Sequence, residues 1–94
     1  MEFKELKLNS DEKLCYIRNN PIKLTKSEYS ILSFLLENRN KIFSREELIT
    51  KAWKEQVSER AVNTAISRLR KKLEDYGKHI ISRIGFGYSF MENI

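Results

Sequence analysis

The central part of the sequence contains three helix-start signals, and these constrain the fold more than any other feature. Thr25 is followed three residues later by Glu28, and Ser44 by Glu47, which is the spacing of a capping box. A third capping residue, Ser58, comes directly before an acidic residue that suits the positive start of a helix. Apolar residues at helical spacing follow each of these positions. The sequence therefore predicts three consecutive helices.

The segments on either side of the helices have the pattern of short strands. Residues 3–24 contain two apolar, β-prone sets and a tight turn at Asn19-Asn20-Pro21, so we expect two or three antiparallel strands there. Residues 79–91 contain alternating apolar residues around glycines, which predicts a hairpin. The sequence thus predicts an α+β fold in one domain (1–94), with an N-terminal sheet at about 3–24, a three-helix core at 26–76 and a C-terminal hairpin at 79–91.

The third predicted helix, Ser58 to Tyr76 with Gly77 as its C-cap, has an apolar face and a basic face. At about 100° per residue, one stripe contains Val62, Ala65, Ile66, Leu69 and Leu73. The opposite face contains Arg60, Thr64, Ser67, Arg68 and Lys71, and the stripe is flanked by Arg70 and Lys72. No acidic residue occurs from Ala61 to Lys72, although an ordinary solvated helix mixes charges of both signs.

The basic face has the properties of a surface that enters the major groove of DNA. Its small residues allow the helix to approach base edges in a groove about 12 Å wide, where arginine offers a paired donor to guanine. The net charge of +5 attracts polyanions, of which nucleic acid is the commonest. A basic face that is simply solvated, and a helix that lies on an anionic membrane, are alternatives at this point.

Other classes of function have little support in the sequence. The single histidine, His79, and the single cysteine, Cys15, do not make a metal site of three or four ligands, and no phosphate-binding glycine loop precedes a helix. We interpret Cys15 as a small core residue and His79 as a cation near a helix end. We expect no enzyme activity, no cofactor, no bound metal and no membrane span, and we expect a cytoplasmic location.

Several motifs occur in a defined order from about Phe3 to Met91. They are Leu24-Thr25-Lys26-Ser27-Glu28-Tyr29, Phe43-Ser44-Arg45-Glu46-Glu47-Leu48, Trp53, Val62 with Ile66-Ser67-Arg68-Leu69-Arg70-Lys71-Lys72-Leu73, and Gly85-Phe86-Gly87-Tyr88. In this order and spacing they resemble the OmpR/PhoB-type effector domain, the winged helix-turn-helix output domain of two-component response regulators. The resemblance implies sequence-specific binding of double-stranded DNA in transcription regulation, with the third helix in the major groove and the hairpin wing at the neighbouring minor groove or backbone.

The resemblance also implies roles for individual residues. Arg68 matches the principal base-contacting arginine of the family, and Arg60 and Arg70 match positions that contact phosphates or bases. We expect base reading by Arg68, Asn63, Thr64 and Ser67, and phosphate binding by Arg60, Arg70, Lys71 and Lys72. The wing departs from the family pattern, because Ile84 stands directly before Gly85, where many members have arginine. We therefore expect Ser82 or Arg83 to contact phosphate instead.

The resemblance implies partners beyond one DNA half-site. Family members bind tandem half-sites about one helical turn apart, and activators contact RNA polymerase through the connection that corresponds to residues 54–58, which looks shorter here. A receiver domain with a phosphorylatable aspartate belongs to the full-length proteins, so we expect this chain to be an excised, monomeric effector domain without a receiver. The alternative function is a winged-helix module that binds a protein instead of DNA.

Overall fold

The computed structural model describes residues 1–94 and confirms the predicted order of an N-terminal sheet, helices and a C-terminal hairpin. The elements are β1 (Glu2–Phe3), β2 (Leu6–Asn9), β3 (Leu14–Ile17), β4 (Asn20–Ile22), α1 (Lys26–Glu37), α2 (Arg45–Glu47, continued by a π-helix over Leu48–Trp53), α3 (Glu59–Lys72), a 3₁₀ segment (Glu74–His79), β5 (Ile80–Arg83) and β6 (Gly87–Phe90). Sheet, helices and hairpin all contribute to one cluster of 20 buried side chains, which holds the three parts together.

The N-terminal sheet has four antiparallel strands in the order β1-β2-β3-β4, where two or three were expected. The additional strand forms because Lys4 adopts a left-handed conformation with φ of 52°. This conformation turns the chain back early, so that Phe3 pairs with Leu6. The buried face of the sheet is formed by Phe3, Leu6, Leu8, Cys15 and Ile17.

The turn predicted at Asn19-Asn20-Pro21 lies one residue earlier than expected. Arg18 and Asn19 have positive φ values of 51° and 66°, which is the pattern of a two-residue type I′ hairpin. Pro21 lies within β4, opposite Tyr16. Proline is tolerated there because β4 is an edge strand, where one side of the backbone needs no hydrogen-bond donor.

Helix α1 begins where the sequence predicts. The Thr25 hydroxyl accepts from the Glu28 backbone N–H at 3.2 Å, and the Glu28 carboxylate accepts from the Thr25 backbone N–H at 2.9 Å, which completes the capping box. Asn38 forms the C-cap. The apolar residues that recur at helical spacing in α1 are buried: Tyr29, Ile31, Leu32, Leu35 and Leu36.

The second helix begins with the predicted capping box between Ser44 and Glu47 but then widens into a π-helix over Leu48–Trp53. Lys54 closes the segment with φ of 61° and a hydrogen bond from its N–H to the carbonyl five residues back. The Thr50 hydroxyl donates to the carbonyls three and four residues before it, at 3.3 and 3.2 Å. Because such bonds compete with the α-helical ladder, they favour a change of geometry that apolar spacing does not predict.

Helix α3 ends at Lys72, earlier than the predicted end at Tyr76. Glu74 adopts a left-handed conformation with φ of 55°, and the chain continues as a 3₁₀ segment. The prediction that Gly77 is the C-cap is therefore wrong. A Cβ at Gly77 would lie 2.2 Å from the Arg70 carbonyl oxygen, so this glycine is needed for a close approach of two backbone segments.

The C-terminal hairpin, which we call the wing (β5 and β6), is confirmed and is attached to the start of α2. Phe43 and Tyr88 exchange backbone hydrogen bonds of 2.9 Å in both directions. Gly87 has φ of 136°, and a Cβ there would lie 1.9 Å from the Phe43 carbonyl oxygen. The absence of a side chain at Gly87 thus allows the wing to pair directly with the segment before α2, which fixes its place beside α3.

Candidate nucleic-acid interface

Helix α3 presents the two faces that its sequence predicts. Ser58 caps the helix, because its hydroxyl accepts from the Ala61 backbone N–H at 3.2 Å. The apolar stripe is buried at Val62, Ala65, Ile66, Leu69 and Leu73. The opposite face is exposed at Arg60, Thr64, Ser67, Arg68 and Lys71. The helix therefore holds one side in the core and leaves the other open to a partner.

The cations on the exposed face of α3 are not paired with carboxylates of the protein. Arg60, Arg68 and Lys71 take part in none of the ion pairs of the structure. Glu59, the only acidic residue of the helix, pairs with Arg45 of α2 at 3.2 Å. The positive field of this face extends over a Debye length of about 8 Å at physiological salt, which suits a polyanionic partner.

Small side chains lie between these cations and keep the surface low. The Thr64 hydroxyl donates to the Arg60 carbonyl at 3.2 Å, so towards a partner it can act only as an acceptor. The Ser67 hydroxyl is exposed and has no hydrogen-bond partner in the protein, so it can donate or accept. Together with the donor fork of Arg68, this strip offers both donors and acceptors close to the helix axis.

The wing packs against the side of α3 and engages two of the predicted contact residues. The Tyr88 hydroxyl donates to Oδ1 of Asn63 at 2.7 Å. The Arg70 Nε donates to the Ile80 carbonyl at 2.8 Å, and its guanidinium carbon lies 5.7 Å from the centre of the Tyr88 ring. Asn63 and Arg70 are therefore half-buried and join the helix to the wing, whereas Arg68 and Lys71 remain open.

A crevice of about 430 Å³ lies between the start of α2, the start of α3 and the wing. The helices contribute Arg45, Glu59 and Asn63 to its lining, and the wing contributes Ser82 and Arg83. Only three of its 12 lining residues are hydrophobic, which suits contacts with polar groups better than burial of an apolar ligand. The crevice thus connects the predicted wing residues with one of the predicted base readers.

The wing leaves its own predicted residues free. Ser82 and Arg83 are exposed, and Arg83 takes part in no ion pair. At the tip, Ile84 is 98% exposed and Phe86 is 71% exposed, so the position before the first wing glycine presents an apolar side chain. The cation that the wing itself supplies beside the tip is Arg83, which lies one residue earlier, at the end of β5.

Lys72 is the one predicted phosphate-binding residue whose charge is paired inside the protein. Its Nζ lies 2.6 Å from Oε1 of Glu28, a carboxylate on a residue that is only 2% exposed. Burial by itself raises the pKa of Glu28, but the hydrogen bonds from Lys72 and Thr25 and the charge of Lys72 together lower it below its ordinary value. The structure therefore separates Lys72 from the open cations of α3.

Two residues of this surface, Arg45 and Tyr88, are absent from the sequence-based site prediction. Tyr88 follows Asn63 by 25 residues, and the only local indication of its position is the glycine-tyrosine pair in the wing. Arg45 belongs to the surface because α2 starts beside the first turn of α3, where it meets Glu59. Both placements depend on tertiary packing, which the spacing of residues along one helix does not report.

The residues considered for other chemistry are in the core. His79 ends the 3₁₀ segment, near a helix end as expected, but it is buried, its Nδ1 lies 2.8 Å from the Met91 carbonyl, and its ring stacks on Phe90 at 5.5 Å. Cys15 is buried as predicted, and burial raises the pKa of its thiol to about 11.

No three His, Cys, Asp or Glu side chains converge as a metal site. None of the helices combines the length and hydropathy needed to cross a bilayer.

Comparison with known proteins points to one family. The family described as "Transcriptional regulatory protein, C terminal" matches residues 19–90. The sensory transduction protein BceR of Bacillus subtilis is 38% identical over 85 residues, which cover 86% of this chain and 37% of BceR.

Solved structures of response regulators share the fold. The DNA-binding domain of the response regulator AdeR, crystallised in complex with an intercistronic region, has a TM-score of 0.87 and 33% identity, covering 97% of this chain and 98% of that domain. The response regulator DrrB of Thermotoga maritima, an OmpR/PhoB homologue, has a TM-score of 0.85 and 36% identity, covering 97% of this chain and 43% of DrrB. The chain thus spans less than half the length of BceR and DrrB.

Proposed function

Because the chain belongs to the OmpR/PhoB-type family of transcriptional regulatory protein C-terminal domains, we propose that it binds double-stranded DNA sequence-specifically and regulates transcription. Residues 1–94 act in this proposal as one effector domain, with no catalytic activity of their own. The observation that carries the proposal is the outer face of α3, on which Arg60, Arg68 and Lys71 are exposed and unpaired. An isolated cationic strip with small side chains fits the dimensions and the charge of a major groove.

In this proposal α3 lies in the major groove and its central residues read bases. Arg68 donates in bidentate fashion to guanine O6 and N7, the commonest specific contact in such grooves. Thr64 and Ser67 lie on the same exposed face and supply a hydroxyl acceptor and a free hydroxyl. Asn63, at the edge of the crevice, is the fourth base reader.

Phosphate contacts hold the helix in the groove. Arg60 and Lys71 contact phosphates from the two ends of α3, and Ser82 and Arg83 contact them from the wing. Arg70 adds to the positive field while its Nε is held by the Ile80 carbonyl, whereas the charge of Lys72 is balanced by Glu28. If about four phosphates are neutralised, the logarithm of affinity falls with the logarithm of salt concentration with a slope of roughly −4.

The longer relatives support a proposal about the full-length protein. We propose a response regulator in which a receiver domain controls pairing of two copies on tandem half-sites about one helical turn apart. The isolated domain is then monomeric and binds one half-site weakly. The exposed connection at residues 54–58, which begins with the left-handed Lys54, is the proposed contact for RNA polymerase.

Selection from a library of random duplex DNA, followed by fluorescence anisotropy on the selected site, tests the function. We expect the wild type to enrich one sequence. Arg68→Ala should weaken the free energy of binding to that sequence by about 1–3 kcal/mol and should reduce the base preference at one base pair. Lys7→Ala is the matched control, because Lys7 is an exposed cation on β2, in the N-terminal sheet. It removes the same charge and should leave base preference unchanged.

Two results would contradict the proposal. Equal affinity of the wild type for the selected and for scrambled duplexes would show that the domain does not read sequence. Absence of any DNA binding at low salt, together with capture of α3 by a protein, would favour the alternative of a protein-interaction module.

A further inference from the structure

The hydrogen bond between the wing and α3 determines which end of the Asn63 amide is free. A side-chain amide has an acceptor oxygen at one end and a nitrogen with two donors at the other. The Tyr88 hydroxyl donates to Oδ1 of Asn63 at 2.7 Å, and Nδ2 has no partner in the protein. Asn63 therefore presents two free donors, while one of the two lone pairs of its oxygen is already used by Tyr88.

The position of the Tyr88 hydroxyl is itself fixed by its surroundings. The backbone of Tyr88 is paired with that of Phe43, and the preceding residue, Gly87, permits this pairing. The Arg70 guanidinium lies 5.7 Å from the centre of the Tyr88 ring, and Arg70 is held by its bond to the Ile80 carbonyl. These contacts hold the Tyr88 ring in place, and the ring places its hydroxyl beside Asn63.

Asn63 is also placed where a base edge can reach it. It lies four residues before Ser67 in α3, so the two are one helical turn apart. It lines the open crevice between α3 and the wing together with Ser82 and Arg83. Asn63 is therefore adjacent to both parts of the proposed DNA-binding surface.

We propose that Tyr88 is a positioning residue for Asn63 and that Asn63 consequently selects a base that offers a hydrogen-bond acceptor in the major groove. This inference rests on the proposed function. Guanine presents N7 and O6 and thymine presents O4 as acceptors, whereas cytosine presents only the N4 donor. Adenine also offers an acceptor, N7, but its neighbouring N6 donor needs the amide oxygen of Asn63. Because Tyr88 already uses one of the two lone pairs of that oxygen, adenine is disfavoured relative to guanine and thymine.

Selection from a randomised duplex library with the wild type, Tyr88→Phe and Asn63→Ala tests the inference. Tyr88→Phe keeps the ring beside Arg70 and removes only the hydroxyl. We expect the wild type to favour guanine or thymine at one base pair by roughly tenfold over adenine and cytosine, which corresponds to one well-made hydrogen bond. Tyr88→Phe should raise the share of adenine at that base pair and leave the other positions unchanged. Asn63→Ala should remove the base preference at that position.

A second tyrosine serves as the control. Tyr16→Phe removes a hydroxyl from β3, where Tyr16 has no side-chain hydrogen bond, and should leave every base preference unchanged. The NMR signals of the Asn63 side-chain amide, recorded without DNA, should shift in Tyr88→Phe and not in Tyr16→Phe. This readout separates a fixed amide from a general loss of folding.

The outcomes separate this inference from the proposed function. If the wild type selects a sequence and Tyr88→Phe selects it with the same base preferences, the function stands and the positioning role is refuted. A wild-type preference for adenine or cytosine at the Asn63 position would show the opposite amide orientation and would also refute it. If the wild type selects no sequence at all, both proposals are overturned.

Discussion

The ammonium group of Lys72 lies 2.6 Å from Oε1 of Glu28, the same oxygen that accepts the Thr25 backbone N–H at 2.9 Å. One carboxylate therefore completes the capping box of α1 and ties α1 to the last turn of α3, 44 residues away in sequence. This pair places a basic residue of α3 in a structural role and leaves Lys71, its neighbour, on the open face.

Lys72→Met tests the structural role of this pair. The substitution leaves a buried carboxylate without its cation, so we expect the free energy of unfolding to fall by about 1–3 kcal/mol. Urea denaturation followed by circular dichroism measures the change. Lys71→Met is the matched control on the exposed face and should change stability by less than about 0.5 kcal/mol. Equal effects of the two substitutions would contradict the assignment.

The same pair predicts a pH dependence of stability. Because the folded-state pKa of Glu28 is lowered, its stabilising contribution is fully present above the ordinary value of about 4.3 and is lost as the pH falls through the lower folded value. In Lys72→Met the effect of burial dominates, so the carboxylate is destabilising at neutral pH. The difference in Tm between wild type and Lys72→Met should therefore shrink between pH 7 and pH 3. A difference that is constant over this range would contradict the account.

Local sequence signals predict the helix starts because their physics is local. The capping boxes at Thr25 and Ser44 join residues three positions apart, and both form as expected. The end of α3 is different. Gly77 is the residue type that is typical of a C-cap, but in the structure it allows the backbone to pass close to the backbone of Arg70. A glycine that allows close approach and a glycine that ends a helix cannot be told apart without the tertiary structure.

For the site as well, features set by local spacing are predictable and features set by tertiary contacts are not. The exposed face of α3 follows from helical periodicity, so Arg68 and Lys71 are open as expected. Lys72 and Asn63 have partners 44 and 25 residues away, and no spacing along the helix reveals them. The charged face thus follows from the sequence, whereas the packing of the wing and of α1 decides which of its side chains are free.

The two wing glycines should differ in their tolerance of a side chain. Gly87→Ala places a Cβ 1.9 Å from the Phe43 carbonyl oxygen at φ of 136°, so the wing must separate from the segment before α2. Gly85→Ala has φ of 85° and nothing within 4 Å, so only backbone strain of about 1 kcal/mol is expected. Urea denaturation should show Gly87→Ala to be the more destabilised, by at least roughly 1 kcal/mol. The reverse order would contradict the described attachment of the wing.

Amide chemical shifts, recorded while the protein is titrated with a selected duplex, test most directly whether the exposed face of α3 lies against DNA. We predict progressive shifts in residues 60–71 of α3 and in Ser82 and Arg83 of the wing. The amides of β1 to β3 should stay unchanged, apart from small uniform effects. Shifts confined to the N-terminal sheet or to the 54–58 connection, with the α3 amides unmoved at saturating DNA, would contradict the account.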